Sequence, residues 1–177
     1  MGVILYADGS RYDGWLKFGQ PNGRGRMIYE TGDIYKGDYV NGKAEGKGIY
    51  IHMDGTTYEG DWKADKQEGR GVETWPDGAR YEGEYGDGNK NGTGWFKWAD
   101  GSEYRGEFKD NSIHGRGIYT WNDGKIYEGE WANYKMNGRG VFTWPDGRKY
   151  TGEYIEDKKE GQGVFEWWAT LDSHTCT

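Results

Sequence analysis

The chain is short of the residues that make catalytic or stapled folds. It holds one cysteine, Cys176, and three histidines, His52, His114 and His174, among 177 residues. A lone cysteine excludes an intrachain disulfide framework and points to a reducing, cytoplasmic setting. With proline at 3 positions, turns must be made mainly by other residues. Long apolar runs are missing as well: Met1-Gly2-Val3-Ile4-Leu5 turns polar by Asp8, too early for a signal peptide or a spanning helix. Gly2 opens a myristoylation pattern, but Tyr6 stands where that pattern needs Ser or Thr. Basic residues are outnumbered, 23 Lys and Arg against 30 Asp and Glu, and a formal net charge of -7 disfavours binding to nucleic-acid phosphates or to an anionic membrane surface.

A hydrophobic share of 33% would by itself suit a disordered chain. Two abundances oppose that reading, with 10 Trp and 15 Tyr beside 33 Gly. Rings and glycines in such numbers imply tight turns and rings packed on backbone, provided they recur at fixed places.

They do recur. Tyrosine stands at 12, 35, 58, 81, 104, 127 and 150, each followed two residues later by glycine, with no break in the 23-residue register. Two further on comes a bulky residue: Leu16, Tyr39, Trp62, Tyr85, Phe108, Trp131 or Tyr154. This alternation predicts a strand. A Gly-x-Gly pair then opens a second strand, as at Gly138 and Gly140, which runs through Phe142 to Trp144. Trp75-Pro76-Asp77-Gly78 and Trp144-Pro145-Asp146-Gly147 have the composition of a three-residue hairpin loop.

Because side chains alternate, Tyr127, Trp131, Phe142 and Trp144 share one face, while Glu128, Glu130, Arg139 and Val141 share the other. Opposing Gly129 to Gly140 predicts Tyr127 opposite Phe142, Trp131 opposite Gly138 and Glu130 opposite Arg139. Equivalent pairs are Asp38 with Lys47, Asp61 with Arg70 and Glu107 with Arg116. The expected fold is all-β: an elongated single-layer antiparallel meander of seven 23-residue hairpin units and a half unit. At ~4.8 Å per strand it would be a rod roughly 70 Å long. Residues 1–9 form the half repeat, 10–167 the seven units, and 168–177 a divergent tail.

The unit, as in Tyr127-Glu128-Gly129-Glu130-Trp131 followed by Asn137-Gly138-Arg139-Gly140, resembles the MORN (membrane occupation and recognition nexus) repeat over residues 4 to 167. The resemblance implies a twisted antiparallel sheet with a grooved face. It also implies a scaffold or adaptor role in cytoskeletal, ciliary, membrane-junction or lipid-kinase contexts. Fold is better determined than role by such membership. Departures stand at His52 and Glu73, which interrupt the aromatic columns, at Thr31 in place of a turn Asp, and at Trp15 where later units carry an acid.

No enzymatic site emerges. The glycine pairs lack the Lys-Ser/Thr and helix of a phosphate loop. The paired acids recur opposite cations as ordinary surface ion pairs, and the histidines occupy different columns. His174 and Cys176 would offer a zinc ion two ligands, and a frayed tail is the simpler reading. No cofactor and no metal site is expected. An exposed aromatic face, by contrast, marks an interaction surface, unless its rings saturate one another. The candidate partner-binding residues are Tyr58, Trp75, Tyr81, Trp98, Tyr104, Trp121, Tyr127, Trp144 and Tyr150, with an extended or helical protein segment as the ligand. Lipid binding and self-assembly, as a homodimer or end to end through unpaired edge strands, are the alternatives.

Overall fold

The computed structural model describes residues 1–167; the tail bearing His174 and Cys176 lies outside the described residues. The fold is a single antiparallel sheet of 15 strands in chain order. It begins with β1 (Gly2–Leu5) and continues through β2 (Arg11–Lys17), β3 (Gln20–Ile28), β4 (Ile34–Val40), β5 (Lys43–Ile51), β6 (Thr57–Lys63) and β7 (Lys66–Thr74). Next come β8 (Arg80–Gly86), β9 (Asn89–Lys97), β10 (Glu103–Lys109), β11 (Ser112–Thr120), β12 (Ile126–Ala132), β13 (Lys135–Thr143), β14 (Lys149–Ile155) and β15 (Lys158–Glu166). Among the described residues β1 and β15 are the two ends of the meander and do not pair with each other. The accessible surface of 11360 Å² exceeds the roughly 8,800 Å² expected of a compact protein of this mass, as a single layer requires.

Two turn types alternate. Within a hairpin the turn has two residues, both at positive φ, as at Asn133 (φ 50) and Tyr134 (φ 66). This mirror-image turn matches the strand twist. Between hairpins, Gly78 N–H donates to Trp75 O at 3.0 Å and Trp75 N–H to Ala79 O at 3.0 Å, enclosing a three-residue loop. Asp77 Oδ1 accepts from Ala79 N–H at 2.9 Å, which explains the recurring Asp before Gly. Thr31 does the same for Asp33 N–H at 3.4 Å.

The expected register needs one correction. Gly129 opposes Gly140 and Tyr127 opposes Phe142, but Trp131 opposes Met136, not Gly138. The tight turn sets one register from its own end, the glycine pair sets another, and the nine-residue second strand absorbs the mismatch as a bulge. Asn137, Gly138 and Arg139 thus face Glu130 alone. Two extra residues preserve the alternation of faces, so the aromatic columns stay together. The charged rows pair differently: Arg24 opposes Asp38, Lys47 opposes Asp61, Arg70 opposes Glu84, Arg116 opposes Glu130 and Arg139 opposes Glu153. These pairs join neighbouring hairpins, not the two strands of one.

The bulge explains the tyrosine column. Residue 130 lies opposite the extra residues, and its carbonyl accepts from Tyr127 Oη at 3.2 Å. Tyr58, Tyr81 and Tyr104 donate likewise to Asp61 O, Glu84 O and Glu107 O at 2.9, 3.0 and 3.1 Å. Each ring lies across its glycine pair. A methyl group at Gly129 would come within 2.6 Å of Gly140 Cα and of Tyr127 Oη, so no side chain fits there. Edge-to-face contacts link consecutive units: Tyr104 meets Phe108 at 5.3 Å and Trp131 at 5.7 Å, and Tyr127 meets Trp131 at 5.1 Å and Tyr154 at 5.2 Å.

Candidate binding surface

The nine residues singled out from the sequence divide by column. Tyr58, Tyr81, Tyr104 and Tyr127 have no exposed surface, and Tyr150 is buried at 8%. These five belong to the core and cannot line a groove while the sheet is intact. Single-layer geometry suggested open rings; the glycine beds and the neighbouring units' rings bury them instead. Burial raises the phenol pKa values of Tyr58, Tyr81, Tyr104 and Tyr127, with Asp61, Glu84 and Tyr154 adding at Tyr58, Tyr81 and Tyr127 and the hydrogen bond to Glu107 O opposing it at Tyr104.

Trp75, Trp98, Trp121 and Trp144 are placed otherwise. All four are half-buried and lie where the second strand enters the inter-hairpin turn. They interleave with the ring two residues earlier in the next hairpin's second strand. The ring centroids run Trp75–Phe96 5.3 Å, Phe96–Trp98 4.5 Å, Trp98–Tyr119 5.1 Å and Tyr119–Trp121 4.5 Å. The series continues with Trp121–Phe142 5.3 Å, Phe142–Trp144 4.6 Å and Trp144–Phe165 5.8 Å. The result is a ribbon of eight tilted rings from β7 to β15 with one side towards solvent. Its exposed aromatic surface has the chemistry of an interface anchor.

Glu73 interrupts the ring column without opening a gap. Its carboxylate accepts from Lys90 Nζ at 2.5 Å and from Tyr85 Oη at 3.0 Å. The ammonium also lies over the rings of Trp75, Tyr81 and Tyr85, at 5.1, 5.1 and 5.7 Å. Sequence spacing alone could not find Lys90, because its column otherwise holds Pro21, Ala44, Gln67, Ile113, Met136 and Lys159. His52 stacks on Tyr50 at 4.6 Å, while Tyr50 Oη donates to Asp33 at 2.8 Å. Among the described residues no group of three or more His, Cys, Asp or Glu side chains could hold a metal ion.

The opposite face carries a channel of about 990 Å³ between two rows of side chains over the glycine backbone, with Lys47, Ile49, Arg70, Val72, Trp95 and Arg105 among its walls. Its largest part runs from β3 to β10, and a second stretch bounded by Arg105, Arg116, Ile118, Arg139 and Val141 continues it towards β13.

The family described as MORN repeat matches residues 12–34, 35–57, 58–80, 81–103, 104–126, 127–147 and 150–167. Among solved structures, the chain is similar to the TCP domain of Drosophila melanogaster SAS-4 (dCPAP), solved in complex with a proline-rich motif of Ana2. Identity is 20% over 85% of this chain and 88% of that chain, with a TM-score of 0.47. It is also similar to the TCP10c domain of Drosophila melanogaster Sas-4, at 19% identity over 84% of this chain and 95% of that chain, with a TM-score of 0.41. The G-box domain of the microcephaly protein CPAP aligns at 14% identity over 95% of this chain and 99% of that chain, with a TM-score of 0.38. No curated protein matches the chain.

Proposed function

The chain belongs to the MORN-repeat family, and from that premise we propose that it is a non-enzymatic scaffold that holds a segment of a partner protein along the tryptophan ribbon. The observation that carries this reading is the unbroken run of half-exposed rings from Trp75 to Phe165, set on a sheet whose tyrosines are fully engaged below it. Core and contact surface are thereby separated: Tyr58, Tyr81, Tyr104, Tyr127 and Tyr150 hold the sheet, and Trp75, Trp98, Trp121 and Trp144 meet the partner. A cytoskeletal, ciliary or membrane-junction assembly is the proposed setting.

Replacing Trp98 and Trp121 together by Ala tests the proposal, since both indoles lie in the outer ribbon. Wild-type and doubly substituted proteins are used as baits in a eukaryotic lysate and the captured proteins compared by mass spectrometry, with far-UV circular dichroism confirming an intact sheet. A partner captured by the wild type and lost with the variant is expected. Equal recovery by both baits overturns the ribbon as the contact surface. Association of the wild type with anionic liposomes at physiological salt, abolished by the same change, would instead assign the ribbon to a lipid surface.

A further inference from the structure

The channel on the face opposite the ribbon has a charge pattern that neither composition nor hairpin register reveals. One wall is the row Arg24, Lys47, Arg70, Thr93, Arg116 and Arg139, and each cation faces an acid on the next strand. The bulge gives two of those acids, Asp61 and Glu84, a backbone donor to engage. Glu84, opposite Arg70, accepts instead from Thr93 N–H at 2.6 Å, a backbone donor that the extra residues leave unpaired, while Asp61 is shared between Arg70 N–H at 3.0 Å and Lys47 Nζ at 2.5 Å. Where ion pairs remain, the cations stay open to water: the side chains of Arg24, Lys47 and Arg116 are 86%, 72% and 82% exposed. Among the described residues, Arg70 and Arg139 have no carboxylate within ion-pair distance.

Thr93 interrupts this cationic row, and there Arg105 of the facing wall takes over. Its guanidinium lies over Trp95 at 5.0 Å, and the indole N–H donates to Glu103 at 3.0 Å. Arg105 borders both stretches of the channel, so positive charge recurs along its length in a chain of net charge -7. Elsewhere the facing wall alternates apolar residues, Ile49, Val72 and Ile118, with charged ones, Lys36 near one end and then Glu59, Glu82 and Glu128.

We infer that this channel binds an extended acidic peptide segment, with carboxylates towards the Arg24 to Arg139 wall and apolar side chains towards Val72, Trp95 and Ile118. Width and period both select this ligand. The walls stand two residues apart along each strand, roughly 7 Å, which admits one extended chain but not a helix ~10 Å across. Cations on alternate strands recur about every 9.6 Å, close to the ~9.3 Å turn of a three-residue polyproline II helix. A phosphate backbone would turn charge towards both walls and meet Glu59, Glu82 and Glu128. A peptide with an acid at every third residue turns charge towards one wall only.

The inference does not depend on the tryptophan ribbon, and its test separates the two. The probe is a fluorescein-labelled peptide of Asp-Pro-Val repeats, about 15 residues long to span the ten strand spacings from Arg24 to Arg139. Binding to the whole protein is followed by anisotropy, with a Lys-Pro-Val peptide and a thymidine oligonucleotide as comparisons. The expected result is saturable, salt-sensitive binding of the acidic peptide, weakened about tenfold by Arg70→Gln with Arg116→Gln and unchanged by Trp98→Ala with Trp121→Ala. Because both guanidinium groups point into solvent, the Gln variant keeps the sheet, as circular dichroism will verify. The inference is overturned by lack of saturation at millimolar protein, by equal binding of the Lys peptide, by tighter binding of the oligonucleotide, or by indifference to the Gln changes.

Discussion

Glu73 and Lys90 are the residues at which this repeat breaks its own rule. Their side chains are only 16% and 13% exposed, in a layer made mostly of rings and aliphatic groups. Removing one partner leaves a half-buried charge, whereas replacing both with apolar residues of suitable shape removes two desolvation penalties. Glu73→Ala alone or Lys90→Ala alone should therefore lower stability, by about 3 kcal/mol at most given the remaining solvent access. The double change Glu73→Phe with Lys90→Ile copies Phe96 and Ile113 of the following unit and should be neutral or stabilising. Urea denaturation of the three variants decides the matter; a double variant less stable than either single one would contradict this account. At this scale the sequence showed Glu73 as an anomaly but could not show its remedy. The remedy comes from a residue 17 positions away, at a column with no common character.

At the scale of the hairpin, the two-residue turn sets the register and the bulge reconciles it with the glycine pair. The first hairpin has the least suitable turn residue: Phe18 is 95% exposed and held at φ 50, a left-handed conformation unfavourable to a bulky side chain. The next hairpin uses Asn41-Gly42 at the same place, the favoured pair for this turn. Phe18→Asn should stabilise the protein by up to about 1 kcal/mol, seen as a higher melting temperature; a fall would show that the exposed ring supports the fold. The 23-residue period and the two strands per unit were legible because turns and alternation are local signals. The bulge was not, since it arises from competition between two local signals, each sound by itself, and it moves the pairing of the Arg24 to Arg139 row from within a hairpin to between hairpins.

Over the whole molecule, burial of the tyrosines beneath neighbouring rings ties stability to high pH. Burial raises Tyr12, Tyr35, Tyr58, Tyr81, Tyr104 and Tyr127 above the ordinary phenol pKa near 10. Tyr154, in the neighbouring column, is pushed up to about 12 by burial and the nearby Tyr150, and Tyr35, Tyr58, Tyr81, Tyr104 and Tyr127 are raised further, also chiefly by burial. A phenol whose folded pKa exceeds its unfolded value favours the folded state fully below about pH 10 and loses that contribution as pH rises through the folded value. Stability should thus be level with respect to these groups up to about pH 10 and then fall steeply. Phenolate absorbance from these buried residues is expected to rise together with loss of the far-UV strand signal. Titration of most phenols near pH 10 with the strand signal unchanged would contradict the buried column.

The sequence by itself determined the meander, its period, its two turns and the grouping of side chains by face, because each of these depends on residues fewer than about ten apart. Only the tertiary structure decided which rings are covered, which carboxylates remain available to cations and which face holds a channel. Each of those outcomes depends on the neighbouring hairpin. The rings of Trp131 and Phe108 help to cover Tyr104, the bulge of one strand engages the acid of another, and side-chain rows from successive hairpins together make a wall that no single repeat contains.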